Sequence, residues 1–231
     1  EVIKMKNKIK LYPLLSVLLI FTVHLSLYYL ARYLNRNLLI ENFHIIKFKI
    51  DNKIPLISYS IIIYFGCYIW WVLSPFLMSK YISKKRYYQF ITSAIIVHIL
   101  TFVIFVLFPT YMVDRPTQIE VNNIFDKLIN FMLTSDKPDN LLPSMHTTVS
   151  WLCVVPFLTN KEKVPIGIKI FQVVFAILVF ISTLTTRQHY IIDVIVGIIL
   201  VEIVFNIIKR QNISNNFETF FTKVNTKLKI E

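Results

Sequence analysis

The sequence predicts an all-α fold, a bundle of six transmembrane helices with a short interfacial helix in the outer loop between the third and fourth spans. Two observations support this prediction. Hydrophobic residues make up 55% of the 231 residues, more than soluble domains usually contain. Long apolar runs also recur along the chain, and in the bilayer core a helix satisfies its own backbone polar groups.

Six apolar runs are long enough for membrane-crossing helices, and we expect a single domain over residues 1–231. The first run follows a group of lysines, as in a signal peptide, but it is too long for a signal core and no A-x-A site follows. We therefore expect an uncleaved first span. The fourth run is the least regular, because it begins among polar residues and ends at Asn160. The predicted spans are residues 11–34, 56–79, 88–112, 142–159, 164–185 and 190–208.

The net charge of +12 is compatible with nucleic acid or with anionic lipid as a partner. Because the basic residues cluster in short loops beside the spans, we expect membrane lipids and no nucleic acid. With the N-terminus inside, sixteen Lys and Arg residues lie on the inner side and nine on the other. Both termini are therefore predicted to be cytoplasmic, with residues 113–141 and 186–189 outside, in what we expect to be a bacterial plasma membrane.

The long outer loop contains the segment NNIFDKLINFML, residues 122–133, whose apolar residues follow helical spacing. The predicted apolar face holds Ile124, Phe125, Leu128, Met132 and Leu133, and the other face holds Asp126, Lys127 and Asn130. This pattern fits a helix lying at the membrane interface. A helix packed on the bundle without a membrane role fits it equally well.

Three polar clusters lie on the predicted outer side, next to apolar spans. They are DRP at 114–116, LPSMHT at 142–147 and TRQHYIID at 186–193. The clusters are far apart in sequence, but all three lie near one membrane face. A helical bundle is therefore able to bring them together.

The third cluster pairs His189 with Asp193 at a spacing that places both on one helix face. A carboxylate that accepts a hydrogen bond from one imidazole nitrogen fixes the tautomer and leaves the other nitrogen free to attack. Arg187 offers a planar fork suited to phosphate oxygens. Taken singly, a His–Asp pair is usually structural and an arginine at a span end usually reaches for lipid headgroups.

The second cluster supplies complementary groups. Pro143 suits the first turn of a helix, so Ser144 and the nearby N–H groups would form an anion site at a helix N-terminus. His146 is placed to protonate a leaving oxygen. Arg115, in the first cluster, is a second candidate phosphate ligand. A Pro-Ser pair before a helix is often only a cap, and it is the convergence of these residues on one face that favours a site.

The remaining ionisable and sulfur-containing residues of the spans are interpreted as structural. Glu202 is an intramembrane carboxylate, for which we expect an interhelical bond or a basic partner. The two cysteines, Cys67 and Cys153, are expected to be small buried hydrophobes rather than a disulfide or metal site. Packing or interhelical hydrogen bonds are expected for His24, His44 and His98.

Together the three clusters resemble the type 2 phosphatidic acid phosphatase superfamily, whose pattern is K-x6-R-P, then P-S-G-H, then S-R-x5-H-x3-D. The matching residues are Arg115 and Pro116, then Pro143, Ser144, Met145 and His146, then His189 and Asp193. The chain departs from the pattern at three positions. Phe108 stands where the lysine falls, Met145 replaces the glycine, and Thr183 stands where the arginine of the third motif falls.

The resemblance implies a lipid phosphate or diphosphate phosphatase that acts in two steps, without metal or cofactor. His189 would attack phosphorus to form a phosphohistidine, with Asp193 orienting it and His146 protonating the leaving group. Charge on the phosphoryl oxygens would be stabilised by Arg115, Ser144 and Arg187.

Two alternatives remain open from the sequence. HYIIDV is also similar to the third motif of the phosphotransferase branch, which includes sphingomyelin and inositol phosphorylceramide synthases. A member of that branch would pass the headgroup to an acceptor alcohol. The altered motifs are also compatible with a non-catalytic lipid-binding or transport protein.

Overall fold

The computed structural model describes residues 11–37, 43–159 and 164–211, and near the C-terminus 218–219, 222–224 and 226–227. Helices dominate these residues, and no named strand occurs among them. The predicted all-α class is confirmed. The α-helices longer than two turns are α1 Leu11–Asn37, α2 Ile61–Tyr81, α3 Lys84–Leu107, α4 Ile124–Ser135, α5 Met145–Leu158, α6 Ile166–Thr185 and α7 Ile191–Gln211.

Five of the described helices, α1, α2, α3, α6 and α7, are long and apolar enough to cross a membrane. The fourth predicted span, residues 142–159, contains the shorter helix α5. Its 14 residues extend for about 21 Å, less than the hydrocarbon core of roughly 30 Å. The structure therefore supports five of the six predicted spans by length and leaves the fourth open.

Helix α5 lies at the centre of the bundle, in contact with α2, α3, α6 and α7. All of its residues are buried except Trp151 and Leu158. At one end the backbone N–H of Ser144 donates to the Asp193 carbonyl at 3.0 Å, beside the start of α7. At the other end Arg86, in the first turn of α3, donates to the Thr159 carbonyl at 3.0 Å. α5 therefore runs from one end of the bundle to the other, enclosed by longer helices.

A glycine permits the close approach of α7 to the first turn of α5. A Cβ atom at Gly197 would lie 3.0 Å from Cβ of Thr147 and 3.3 Å from the Ser144 carbonyl oxygen. Contacts this short leave no room for a larger side chain. Gly197 thus brings the helix of Asp193 against the helix of His146.

Polar side chains inside the bundle bond between helices, as predicted. Glu202 of α7 accepts a hydrogen bond from the indole N–H of Trp151 in α5 at 2.8 Å, and a second from Asn206 at 3.2 Å. The interhelical bond expected for this carboxylate is therefore confirmed. Cys67 and Cys153 are buried free thiols, which confirms their interpretation as small core residues.

Helix α4 is the predicted helix of the outer loop, and it packs on the first turns of α2. Its residues Ile129, Met132 and Leu133 form a buried cluster with Ile61 and Tyr64. The structure thus shows the bundle-packed alternative, and a position at the membrane interface remains a prediction.

The prediction that Asp126 lies on the polar face of α4 is wrong, because only 5% of its surface is exposed. Its carboxylate accepts the backbone N–H groups of Asn122 and Asn123 at 2.9 and 3.0 Å, and the hydroxyl of Ser58 also donates to it. Capping the helix N-terminus compensates for the burial of this charge.

Candidate active site

A cleft of about 240 Å³ opens at the end of the bundle where α1 and α3 end and α2, α5 and α7 begin. Helices α1, α2 and α4, the loop after α4 and the residues before α7 contribute to its walls. Much of its wall is aromatic, with Tyr28, Tyr29, Tyr64, Phe65, Tyr68 and Trp71 among its lining residues. The cleft suits a ligand that carries a polar head and an apolar body.

His146 and His189, which lie 43 positions apart in sequence, both line this cleft. Their ring centroids are 5.7 Å apart, and the ring planes meet at 63°. Both side chains are buried, with 9% and 8% of their surface exposed. The structure therefore brings together the two histidines that the sequence singled out.

Asp193 lies behind His189, away from the cleft. Its Oδ2 is 3.4 Å from Nδ1 of His189 and accepts the backbone N–H of Tyr190 at 2.8 Å. The Asp193 side chain is fully buried, which favours a hydrogen bond over solvent as its partner. An Nδ1–H group that faces this carboxylate leaves Nε2 of His189 with its lone pair free.

The turn that presents His189 is built on the residue that replaces the third-motif arginine. The carbonyl of Thr183 accepts the backbone N–H groups of Gln188 and His189 at 2.9 and 3.2 Å. The Thr183 hydroxyl donates to the Phe180 carbonyl inside α6, and the side chain is fully buried. Position 183 therefore holds the turn and does not line the cleft.

The first turn of α5 provides backbone donors. Ser144 caps the helix, and its hydroxyl oxygen accepts the N–H of Thr147 at 3.3 Å. Ser144 itself is fully buried and lies outside the cleft lining. The N–H groups of Met145 and His146, the next two residues, have no intrahelical partner because they open the helix. Since both residues line the cleft, an anion there would meet a helix N-terminus.

Arg115 is mostly buried and stands behind the cleft wall, not in it. Its guanidinium donates to the Asp136 carbonyl at 3.1 Å. With the Gln188 amide oriented to satisfy its neighbours, the amide oxygen accepts from Arg115 at 2.8 Å and the nitrogen donates to Asp136 at 3.2 Å. Burial lowers the pKa of Arg115, but an arginine remains charged at any ordinary pH.

Arg187 is directed away from the cleft. It has a left-handed backbone conformation with φ of 58°, and its guanidinium donates to the carbonyls of Asp51 and Ile54 at 3.3 and 2.6 Å. Asp114 lies 3.9 Å away and also binds Lys47. Arg187 thus holds the segment between α1 and α2, and its predicted contact with phosphate has no support from this geometry.

Sequence reasoning missed an acid–arginine cluster beside the cleft, formed by Arg32, Arg36, Asp136 and Asp139. Arg32 bridges Asp136 at 2.9 Å and Asp139 at 2.7 Å, and Arg36 also binds Asp139. Burial raises the pKa of the Asp136 carboxyl, but the hydrogen bond and charge of Arg32, together with the charge of Arg115 and the Tyr28 hydrogen bond, hold that pKa below its ordinary value. The signal was present in the sequence as two arginines at the end of predicted span one and two aspartates before predicted span four, on the same predicted membrane face.

Two more cleft residues were missed. The Tyr68 hydroxyl lies 3.1 Å from Nε2 of His146, and Tyr64 packs on the same ring at 4.5 Å between centroids. The Nδ1 atom of His146 is buried without a hydrogen-bond partner among the described residues. Lys137 is an exposed cation that lines the cleft. No sequence motif marks either residue. Tyr68 reaches His146 through packing of α2 on α5, and Lys137 lines the cleft from the loop after α4.

Comparison with family models gives a match over most of the chain. Comparison with curated proteins and with solved structures gave no match. A family model described as the PAP2 superfamily matches residues 29–207, which include both histidines and all cleft residues except His24, Leu25 and Tyr28. Since this match covers well over half of the chain, the protein belongs to the type 2 phosphatidic acid phosphatase (PAP2) superfamily.

Proposed function

We propose that the protein is an integral membrane enzyme that removes phosphate from a lipid phosphate or diphosphate through a phosphohistidine. Membership of the PAP2 superfamily supports a phosphatase or phosphotransferase. The observation that carries the proposal is the meeting of His146 and His189 in one cleft, with Asp193 behind the second ring. A nucleophile, its orienting carboxylate and a proton donor are the groups that such a displacement requires.

In this proposal Nε2 of His189 attacks phosphorus. Asp193 holds the Nδ1–H proton, so the free lone pair points away from the carboxylate and the ring keeps its orientation. The carboxylate also stabilises the positive charge that develops on the ring as the N–P bond forms.

His146 acts as the proton donor. In its cationic form His146 carries a proton on each ring nitrogen, and because Nδ1 is buried, Nε2–H beside the Tyr68 hydroxyl would donate to the departing oxygen. After that transfer the neutral ring can accept a proton from water, which then attacks the phosphohistidine. The negative charge of the bound phosphate favours the cationic form when substrate is present.

The phosphoryl oxygens would bind at the first turn of α5. The backbone N–H groups of Met145 and His146 supply donors, and Ser144 holds that turn by capping it. Arg115 adds positive charge from behind Gln188. Lys137 adds positive charge at the mouth of the cleft, in a chain that lacks the lysine of the first motif. Arg187 would reach the phosphate only after releasing the carbonyls of Asp51 and Ile54.

The proposal is tested by trapping the intermediate. Purified protein is mixed with lipid phosphate labelled in the phosphoryl group, with a chelator present, and quenched in alkali. We expect acid-labile label on the wild-type protein and none on the His189→Gln variant. The matched control is His44→Gln, because His44 stacks on Phe108 at 4.0 Å, outside the cleft, and should keep its label. Label that persists in His189→Gln would overturn the assignment of the nucleophile.

A phosphotransferase is the second candidate. The positions that carry the motif lysine and arginine hold Phe108 and the buried Thr183, and the cleft wall is rich in aromatic rings that suit a second lipid. Supplying labelled donor with and without an acceptor alcohol separates the two reactions. A new labelled lipid indicates transfer, whereas free phosphate in both cases indicates hydrolysis.

We also propose six spans, with both termini cytoplasmic and the cleft facing outward. The charge distribution of the loops supports this orientation. A sixth crossing is supported by the two ends of α5, which bond to the start of α7 and to the first turn of α3. A Lys137→Cys variant tests the orientation in intact cells, since the native cysteines Cys67 and Cys153 are buried. An impermeant maleimide should label it from outside; labelling only after lysis would reverse the topology.

A further inference from the structure

A second pair of histidines lies at the deep end of the cleft. His24 of α1 lines the cleft and is only partly buried. Its Nδ1 is 3.0 Å from Nε2 of His98 in α3, and Nδ1 of His98 is 2.5 Å from the Ala94 carbonyl oxygen. These contacts link a helix carbonyl, two imidazoles and the cleft in one chain of hydrogen bonds.

The chemistry of the chain fixes where its protons lie. A carbonyl oxygen only accepts, so Nδ1 of His98 must carry the proton of that bond. In a neutral His98 the other nitrogen, Nε2, then accepts, and Nδ1 of His24 must donate to it. It follows that Nε2 of a neutral His24 carries a lone pair and no proton.

The reverse assignment would require an imidazolium at His98, whose side chain is 1% exposed. Among the described residues, no carboxylate forms a hydrogen bond or ion pair with either ring. An unpaired charge at such a site is expensive, so the neutral chain prevails. No described residue bonds to Nε2 of His24, and this acceptor is left for a ligand in the cleft.

The depth of His24 limits which part of a ligand it meets. His24 lies eight residues before Arg32 of the acid–arginine cluster. Along α1 this separation places His24 about 12 Å further into the bundle than Arg32. A lipid whose phosphate lies at His189 extends its chains toward the membrane interior. His24, whose ring centroid lies 6.3 Å from that of Phe21 and 6.4 Å from that of Tyr28, therefore faces the part that links the phosphate to the chains.

We infer that His24 is a binding residue that accepts a hydrogen bond from a hydroxyl or amide N–H group in the linking part of the lipid. This inference rests on the proposed function, because it takes the phosphate to bind at His189. A lipid with only ester and ether oxygens there has no donor for Nε2 and leaves the acceptor desolvated without a partner. The subsite thus favours lipid phosphates that carry one donor hydrogen beyond the phosphate.

Pairs of non-hydrolysable lipid phosphonates test the subsite. In the first pair, one phosphonate carries a hydroxyl group that its deoxy analogue lacks. In the second pair, one phosphonate carries an amide where the other carries an ester. Binding is followed by tryptophan fluorescence, since Trp71 lines the cleft. We expect the wild-type protein to prefer the donor-bearing member of one pair by roughly tenfold in Kd, and that pair identifies the source of the donor.

The His24→Phe variant keeps an aromatic ring and removes the acceptor, so its preference should fall to about one. Tyr29→Phe is the matched control, because it changes the same wall of the cleft and leaves the histidine chain intact. Equal binding within both pairs by the wild-type protein would overturn the inference without any variant, as would a preference that survives in His24→Phe. Because phosphonates are not turned over, their binding is measured independently of the trapping experiment. If the preference is found but a labelled lipid phosphate forms no phosphohistidine, the proposed function is refuted and the subsite stands.

Discussion

Two histidine pairs in this protein differ in what each nitrogen contacts. In the outer pair, His146 and His189 approach edge to face at 5.7 Å between centroids. In the inner pair, the rings of His24 and His98 are joined directly, with 3.0 Å between their nitrogens. The outer pair has a carboxylate behind one ring, whereas the inner pair ends on a backbone carbonyl.

The difference shows that the partners of a histidine decide its chemistry. A carboxylate behind His189 stabilises a positive ring, which is the state that an attack on phosphorus creates. A carbonyl behind His98 fixes one tautomer and does not balance a positive charge. The outer pair is therefore suited to moving protons and phosphate, and the inner pair to presenting one fixed acceptor.

Removing the carboxylate of the outer pair should have the largest effect. In an Asp193→Asn variant the amide can hold His189 in the wrong tautomer, so turnover should fall by roughly 10⁴-fold. Phosphate release from a lipid phosphate, measured on detergent-purified protein, checks the result. The variant should make its histidine resemble the inner pair, with a fixed ring and no neighbouring charge.

Asp51→Asn is the control for this experiment. Asp51 is as buried as Asp193, and it accepts the backbone N–H of Ile191 at 3.0 Å at the start of the same helix. It touches neither histidine, so its variant should lower thermal stability and keep turnover within a few-fold of wild type. Equal losses of turnover in the two variants would mean that Asp193 only holds the helix.

The role of His146 can be distinguished from that of His189 by changing the leaving group of the substrate. A His146→Asn variant should lose about 10³-fold in turnover of a lipid phosphate, whose alkoxide needs a proton to depart. With nitrophenyl phosphate, whose phenolate departs without a proton, the loss should shrink to about tenfold. The two rates measured side by side decide the role.

A Tyr68→Phe variant tests the same role of His146 with a smaller expected loss of turnover. It removes one neutral hydrogen bond to His146, which is worth about 1 kcal/mol, or roughly a fivefold loss of turnover on the lipid phosphate. Losses in His146→Asn that are equal for both leaving groups would exclude a role as proton donor.

Hydropathy alone predicted the helical class, since five long apolar helices are present where spans were placed. It did not predict the short length of α5. An apolar run has the same composition whether it faces lipid or neighbouring helices, and α5 is buried by helices on all sides. Likewise the periodicity of α4 placed its helix, but not the burial of Asp126, which results from capping and not from face polarity.

The site was predictable in its residues more than in its local structure. The sequence paired His189 with Asp193, and the structure shows this pair, but the expectation that both lie on one helix face is wrong, because His189 lies in the turn before α7, which begins at Ile191. The motif order indicated that His146 would lie nearby. The side-chain direction of Arg187 depends on a left-handed turn and on two distant carbonyls, which no local pattern encodes. Tyr68 lies at His146 through packing of α2 on α5, which the sequence does not specify.

The smallest effect is expected in the inner pair, and it concerns stability. A His98→Leu variant leaves the Nδ1–H group of His24 without its acceptor, which should cost about 1–3 kcal/mol in the free energy of unfolding. His24→Leu should cost a similar amount for the opposite reason, because Nε2 of His98 then lacks its donor. In the double variant neither ring is left unsatisfied, so its cost should be clearly smaller than the sum of the single costs. Unfolding in mixed detergent measures all three variants against wild type. Additive costs would mean that the two rings pack together without the hydrogen bond that fixes the acceptor of His24.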